Sequence, residues 1–105
     1  MLLKLVKTFL VIGVKDSIPN VTIYIESVLP SNHKLGNYAP NDKVQKANIA
    51  LQDIAKNNDC TFIDLYNLYV DDKNELSIEF TKDGVHLLPT SYNIWTEAIE
   101  KYIYE

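Results

Sequence analysis

The distribution of apolar residues along this chain predicts two short strands. Val21 to Leu29 is rich in β-branched and aromatic residues and lies between Pro19-Asn20 and Pro30-Ser31-Asn32, which indicates a strand with well-marked ends. A second apolar run, 60–65, follows the polar turn Asn57-Asn58-Asp59 and is typical of a buried strand. Because turn-forming residues bound both runs, we expect strands at about residues 21–29 and 60–65.

An amphipathic helix is predicted after each strand. From Asn41 to Lys56, apolar residues recur at steps of three and four, with Lys and Asp on the opposite face. A closing helix is predicted from Ser91 to Tyr104. Its apolar face carries Tyr92, Trp95 and Tyr102, which we interpret as core residues. Alternating strands and helices are typical of helices packed on a parallel sheet, so we predict an α/β fold.

The opening segment, Met1 to Val14, is apolar but is interrupted by Lys4 and Lys7. It is shorter than the ~20 residues that a membrane span needs, and no small-residue cleavage site follows it. We therefore interpret it as buried structure, for which the spacing favours a helix over a strand. Without a recognisable signal peptide, the cytoplasm is the default location.

Length and composition indicate a single domain over residues 1–105, since 47% of the residues are hydrophobic and 23% are charged. The net charge is −4, and the charged residues are spread along the chain. This pattern argues against nucleic-acid binding, because phosphates require a clustered basic face. Cys60 is the single cysteine, so no intramolecular disulfide forms, and no Cys/His spacing suggests zinc.

The strongest local signal for chemistry is the run Thr81-Lys82-Asp83-Gly84-Val85-His86-Leu87, shortly before the last helix. On a turn that contains Gly84, Asp83 and His86 can fold back towards each other. The carboxylate then accepts a hydrogen bond from one imidazole nitrogen and leaves the other nitrogen free as a general base. The spacing also fits a turn in which the aspartate caps the backbone and the histidine is an ordinary surface residue.

Further blocks of sequence accompany this turn in a fixed order. They are Tyr24-Ile25-Glu26-Ser27-Val28-Leu29-Pro30, then Cys60-Thr61-Phe62-Ile63-Asp64-Leu65-Tyr66, then D-G-V-H-L followed by P-x-S-Y-x-I-W. The last block is the most specific. From about Pro19 to its end, the chain thereby resembles the C-terminal half of the SGNH, or GDSL-type, ester hydrolases.

This resemblance implies a flavodoxin-like three-layer α/β sandwich and the hydrolysis of a small acyl or acetyl ester by a serine nucleophile, with no metal or other cofactor. By position, Asp83 matches the family's triad acid and His86 its triad base. Asn32 and His33 follow the first strand at its carboxyl end, where open α/β sheets bind ligands. We therefore predict that both line a substrate pocket.

The G-D-S motif that carries the family's nucleophile does not occur in this sequence. Ser27, within a strand, and Ser91, at a helix start, are interpreted as structural. Ser31 beside His33 is the one unconventional alternative for a nucleophile. We expect an ester hydrolase by ancestry that retains the acid and the base but is inactive as an isolated chain.

Half of such a fold leaves one edge of the first strand unpaired, and an open apolar edge is a template for pairing with another chain. We therefore expect a homo-oligomer, or pairing with a chain that supplies the missing half. The alternative function is a noncatalytic interaction or ligand-binding module that associates through the same edge.

Overall fold

Two short parallel strands form a small sheet at the centre of this fold. A computed structural model describes residues 14–18 and 20–103. Strand β1 (Tyr24–Glu26) pairs in parallel with β2 (Thr61–Ile63), with Tyr24 opposite Thr61. Backbone hydrogen bonds extend the pairing by one residue at each end, from Thr61 N to Ile23 O and from Ser27 N to Ile63 O, both at 3.0 Å. The parallel pairing agrees with the predicted parallel sheet.

Both strands are shorter than the predicted runs 21–29 and 60–65. The pairing stops at Ser27 because its hydroxyl oxygen accepts the backbone N–H groups of Leu65 (2.8 Å) and Tyr66 (3.0 Å). These bonds hold the end of β1 against the turn that follows β2. Pro30 then offers no N–H to a ladder. Apolar composition therefore predicts where the strands lie, while the hydrogen bonds of the Ser27 side chain determine where their pairing ends.

Helix α1 (Asn41–Asn57) lies against one face of the two strands. It begins where the carbonyl of Pro40 accepts the N–H groups of Lys43 (3.0 Å) and Val44 (3.3 Å). It ends at a turn in which Asp59 has a φ of 55°, the left-handed conformation that commonly stops a helix. Its buried side chains Leu51 and Ile54 pack against Ile23, Ile25 and Phe62 of the strands.

Helix α3 (Tyr92–Ile103) lies against the other face of the strands. Trp95 Nε1 donates to Glu26 Oε1 at 3.3 Å, and the hydroxyl of Tyr24 donates to the carbonyl of Tyr102 at 3.4 Å. Since successive strand residues point to opposite faces, Ile25 faces α1 while its neighbours face α3. The result is a helix–sheet–helix arrangement, and the predicted α/β class is confirmed.

The prediction that the aromatic face of α3 belongs to the core is wrong for Tyr92 and Tyr102, while Trp95 is half-buried. No residue of α3 is buried, and Tyr92 and Tyr102 are exposed. Tyr92 and Trp95 stack on each other instead, with ring centroids 5.8 Å apart. Helical spacing shows that these residues share a face, but burial also requires a surface that covers that face.

The segment between β2 and α3 consists of short turns around a buried tyrosine. Helix α2 (Tyr66–Tyr69) leads into a turn closed by the antiparallel bridge between Val70 and Leu76. Two single-turn 3₁₀ helices follow, Ile78–Phe80 and Pro89–Ser91. Tyr69 is fully buried, meets Phe80 edge to face and donates its hydroxyl to the carbonyl of Ser91 at 2.7 Å. These contacts fix both ends of residues 81–88, which contain Asp83 and His86.

The prediction of a buried helix or strand for Met1 to Val14 lies outside the described residues, apart from Val14 itself, which opens a short helical segment at 14–17. None of the helices that the structure describes is long and apolar enough to cross a membrane.

Candidate active site

A tight turn at residues 81–87 presents the candidate catalytic side chains. An antiparallel bridge between Thr81 and Leu87 closes it, and Gly84 occupies the left-handed region with a φ of 92°. The hydroxyl of Thr81 accepts the N–H of Gly84 at 3.0 Å and donates to the carbonyl of His86 at 2.7 Å. The glycine supplies the conformation, and the threonine ties the two sides of the turn together.

Asp83 and His86 lie in direct contact on this turn. Oδ2 of Asp83 is 2.6 Å from Nδ1 of His86, and Oδ1 accepts the backbone N–H groups of Val85 (2.9 Å) and His86 (2.7 Å). A carboxylate accepts but does not donate, so in the neutral ring the proton lies on Nδ1. Within residues 14–18 and 20–103, no group hydrogen-bonds to Nε2 of His86. That nitrogen is thus able to accept a proton.

The hydrogen bonds also set the charge of this pair. The backbone N–H of His86, its ring and the N–H of Val85 hold the pKa of Asp83 well below its ordinary value. The carboxylate is therefore ionised across the neutral range. The His86 side chain is 83% exposed and that of Asp83 is 51% exposed, so the pair is open to an incoming molecule.

Asn32 is buried and holds a loop. Only 2% of the residue is exposed; its amide donates to the carbonyl of Leu76 at 2.8 Å and its side-chain oxygen accepts the N–H of Lys34 at 3.0 Å. The backbone N–H of Asn32 lies 2.8 Å from the carbonyl of Gly84, in the turn at residues 81–87, which we call the dyad turn because it carries the Asp83–His86 pair. This geometry favours a role in fixing the loop over a direct contact with a substrate.

Both ring nitrogens of His33 are engaged. Nδ1 lies 2.8 Å from Oε2 of Glu75, and Nε2 lies 3.0 Å from the carbonyl of Ala39. The hydrogen bond to Glu75 is the main cause that raises the pKa of His33 above its ordinary value. Because both partners are acceptors, the site suits the doubly protonated ring. His33 thus joins two loops and has no nitrogen free to act as a base.

Asn41 connects the same two loops, and its sequence position gave no signal of this. Its buried amide donates to the carbonyls of Ser31 and Asn74, both at 2.7 Å, and its oxygen accepts the N–H of Ser31 at 2.9 Å. The partners are up to 33 residues away in the chain, so no local spacing reveals them. With His33 and Glu75, Asn41 lines an open depression of about 320 Å³.

None of the serines is bonded to the candidate base. All five lie in the residues that the structure describes, and none of them hydrogen-bonds to His86 there. The hydroxyl of Ser31 is directed to the carbonyl of Ala39 (3.5 Å) and to Oδ1 of Asn41 (3.4 Å), so a Ser31–His33 nucleophile is not supported. Ser27 and Ser91 hold the backbone, through the two bonds at Ser27 and a 3.4 Å bond from Ser91 to the carbonyl of Phe80.

No group of three or more His, Cys, Asp or Glu side chains in the described part of the chain is arranged to share a metal ion. Independently of this, the contact between Asp83 and His86 provides an oriented imidazole at the turn.

Solved structures similar to this chain are ester-hydrolase-like proteins. A Streptococcus pneumoniae protein provisionally described as a platelet activating factor matches with a TM-score of 0.83 and 25% identity, over 92% of this chain and 48% of its own. A GDSL-like lipase from Bacteroides thetaiotaomicron matches with a TM-score of 0.71 and 28% identity, over 88% and 46%. This chain resembles the SGNH, or GDSL-type, ester hydrolases.

A third solved structure has a fold similar to that of this chain. The esterase domain of the ORF1 protein from the zebrafish ZfL2-1 retrotransposon matches with a TM-score of 0.78 over 98% of this chain and 58% of its own, and its 20% identity shows the fold alone. No protein-family model and no curated protein sequence matches the chain. The chain spans about half the length of the bacterial structures, and this similarity supports ancestry in an ester hydrolase.

Proposed function

We propose that this chain supplies the acid and the base of an SGNH-type ester-hydrolase active site. The observation that carries the proposal is the 2.6 Å contact between Asp83 and His86 on an exposed turn, with Nε2 of His86 open. In this role His86 removes the proton of a serine hydroxyl as it attacks the ester carbonyl and returns the proton to the leaving alcohol. Asp83 orients the ring and stabilises the imidazolium. A base of this kind contributes roughly 10²–10⁴-fold in rate.

The serine nucleophile comes from outside these 105 residues. Ser27, Ser31 and Ser91 use their hydroxyls to hold loops and turns, and none is bonded to His86. The chain also spans only 48% of the S. pneumoniae structure, which leaves room for a nucleophile in the remainder of such a domain. The isolated chain is therefore expected to turn over no ester.

The substrate class is a small acyl or acetyl ester. This assignment rests on the neighbour described as a GDSL-like lipase. The serine-triad mechanism uses no metal or organic cofactor. The partner is the polypeptide that carries the nucleophile, either as a separate chain or as a further segment of the same one.

A second candidate function is a noncatalytic module that associates with another protein or with itself. The observation that favours it is the partly uncovered aromatic face of α3, where the exposed ring of Tyr92 stacks on the half-buried Trp95. In this case the Asp83–His86 contact is inherited and serves only to cap its turn.

Complementation distinguishes these functions. The chain is mixed with the part of the S. pneumoniae structure that it does not match, and p-nitrophenyl acetate hydrolysis and labelling by a fluorophosphonate probe are measured. We expect no turnover by either part alone, turnover by the mixture, and loss of turnover with His86→Ala. Lys82→Ala, an exposed change on the same turn, is the matched control and should leave turnover unchanged.

Because the side chain of His86 is exposed, its replacement by alanine removes no core packing, and a loss of turnover then reports the loss of the base. Fluorophosphonate labelling of a serine in the isolated chain, lost with His86→Ala, would contradict the claim that the nucleophile comes from elsewhere. A mixture that forms a complex but hydrolyses nothing would instead support the noncatalytic function.

A further inference from the structure

Tyr38 reaches the dyad turn from the loop that links β1 to α1. Its phenol hydroxyl donates a hydrogen bond to the backbone carbonyl of Asp83, 45 residues along the chain. The Cε2 edge of its ring lies close to two glycines. A Cβ added at Gly84 would be 2.9 Å from Cε2 of Tyr38, and one added at Gly36 would be 2.6 Å from two of its ring carbons. The ring therefore fits only because neither neighbour has a side chain.

The loop that carries Tyr38 is itself fixed at several points. Ser31 and Asn41 exchange backbone and amide hydrogen bonds across its ends, and His33 joins Glu75 and the carbonyl of Ala39. The backbone N–H of Asn32 adds a second bond to the dyad turn at the carbonyl of Gly84. Tyr38 thus connects the turn to an anchored support rather than to a free loop.

The dyad turn has need of such a support. The hydrogen bonds that Asp83 makes to Val85 and His86 are all local and exposed, so water competes for the same groups and limits what these bonds add to the stability of the turn. The bond from Tyr38 acts on the peptide group directly after Asp83, so it constrains the backbone between the acid and the base.

We propose that Tyr38 is a positioning residue for the Asp83–His86 pair: its hydroxyl and its wedged ring hold the turn in the conformation in which Asp83 fixes the tautomer of His86. Tyr38 touches neither the reacting nitrogen nor the substrate, and acts through the turn. The inference rests on the proposed function for its catalytic meaning, while the conformational effect is measurable in the isolated chain.

The first test is the tautomer of His86, measured by ¹⁵N NMR on the isolated chain. In the wild-type chain we expect neutral His86 to carry its proton on Nδ1. Tyr38→Phe, which removes the hydroxyl, should increase the Nε2–H share, and Tyr38→Ala, which also removes the ring, should increase it further. Asn37→Ala, an exposed change beside Tyr38, is the matched control and should leave the tautomer unchanged.

The second test uses the close approach of Gly36 to the ring of Tyr38. Gly36→Ala introduces a methyl group where the ring of Tyr38 lies, so we expect it to shift the tautomer as Tyr38→Phe does. In the Tyr38→Ala background the space is open, and the same Gly36→Ala change should have little further effect. Equal effects of Gly36→Ala in both backgrounds would show that the glycine acts without Tyr38 and would overturn the inference.

Turnover by the complemented mixture separates this inference from the proposed function. If the mixture is active, Tyr38→Phe should lower kcat roughly 10-fold with KM unchanged, the size expected when one aligning hydrogen bond is lost. If the mixture is inactive while Tyr38→Phe still shifts the tautomer, the proposed function fails and the positioning role stands. If Tyr38→Phe folds like the wild-type chain and His86 keeps its proton on Nδ1, Tyr38 is not a positioning residue.

Discussion

A single carboxylate performs two tasks in the dyad turn. Oδ1 of Asp83 caps the backbone N–H groups of Val85 and His86, and Oδ2 contacts the ring. Sequence spacing left a backbone cap and an acid–base pair as alternatives, and the structure contains the cap together with the Asp83–His86 contact that the proposed pair requires. The cap brings the backbone of His86 to the carboxylate, so it helps to create the contact on which the proposed chemistry depends.

Acid titration tests the charge on Asp83. Its pKa is held below the ordinary value of 3.8, so the unfolded chain binds this proton more readily than the folded chain. The stabilisation from Asp83 is therefore complete above a pH of about 3.8 and declines as the pH falls towards the lowered folded-state pKa. A ¹³C NMR titration should place the Asp83 midpoint below 3.8, and a midpoint at or above that value would contradict the geometry. Asp83→Asn should remove this part of the acid sensitivity of thermal unfolding.

The pair formed by His33 and Glu75 has the opposite pH dependence. The pKa of His33 is raised above its ordinary 6.5, so the folded chain holds the proton more tightly. Its stabilisation is fully present below pH 6.5 and is lost as the pH rises through the folded-state pKa. We expect a ¹H NMR midpoint above 6.5 for His33, which Glu75→Gln should lower. Equal midpoints in the two proteins would show that the carboxylate is not the cause.

Residue spacing predicted the contact between Asp83 and His86, but not the hydrogen bonds from distant residues that hold the surrounding loops. Asp83 and His86 are three residues apart, so a turn alone brings them together. Tyr38 lies 45 residues from Asp83, and His33 lies 42 residues from Glu75. Such contacts depend on how loops pack after the strands pair, and a single sequence carries no periodic signal for them.

At the scale of elements, the spacing of hydrophobic residues predicted the bounds of helix α1 more accurately than the bounds of the strands. The helix predicted from Asn41 to Lys56 is observed as Asn41–Asn57. The strand predicted from Val21 to Leu29 keeps only Tyr24–Glu26, because Ser27 turns its hydrogen bonding to the segment after β2. A helix satisfies its own backbone, whereas a strand ends where its partner ends.

Two isoleucines on α1 test how its buried face stabilises the fold. Ile54 is 1% exposed among the strand residues, while Ile49 on the same helix is 60% exposed. We expect Ile54→Ala to lower the free energy of unfolding by roughly 2–5 kcal/mol, because it leaves a cavity against the sheet. Ile49→Ala should change it by less than about 0.5 kcal/mol. Urea unfolding of the two variants measures the difference, and similar losses would contradict the packing described for α1.

At the scale of the whole molecule, the two faces of the sheet differ in how well they are covered. On one face, Leu51 and Ile54 of α1 are buried against the strands. On the other, α3 makes polar contacts through Trp95 and Tyr102 and buries none of its residues. The residues described here cover the predicted apolar face of α3 only in part. The side that carries α3 therefore leaves apolar surface, at Tyr92, Tyr102 and Ile103, available to an additional polypeptide.

Trp95 allows this to be measured, because it is the single tryptophan of the chain. With 5-fluorotryptophan at this position, we expect the ¹⁹F resonance to shift when the complementary part of the S. pneumoniae structure is added, since the exposed Tyr92 that stacks on the half-buried Trp95 would become covered. Without that partner, light scattering should give a mass above one chain, because apolar surface and an open strand edge favour self-association. A single-chain mass together with an unchanged ¹⁹F resonance would show that α3 needs no cover, and the partner half would then have to bind elsewhere.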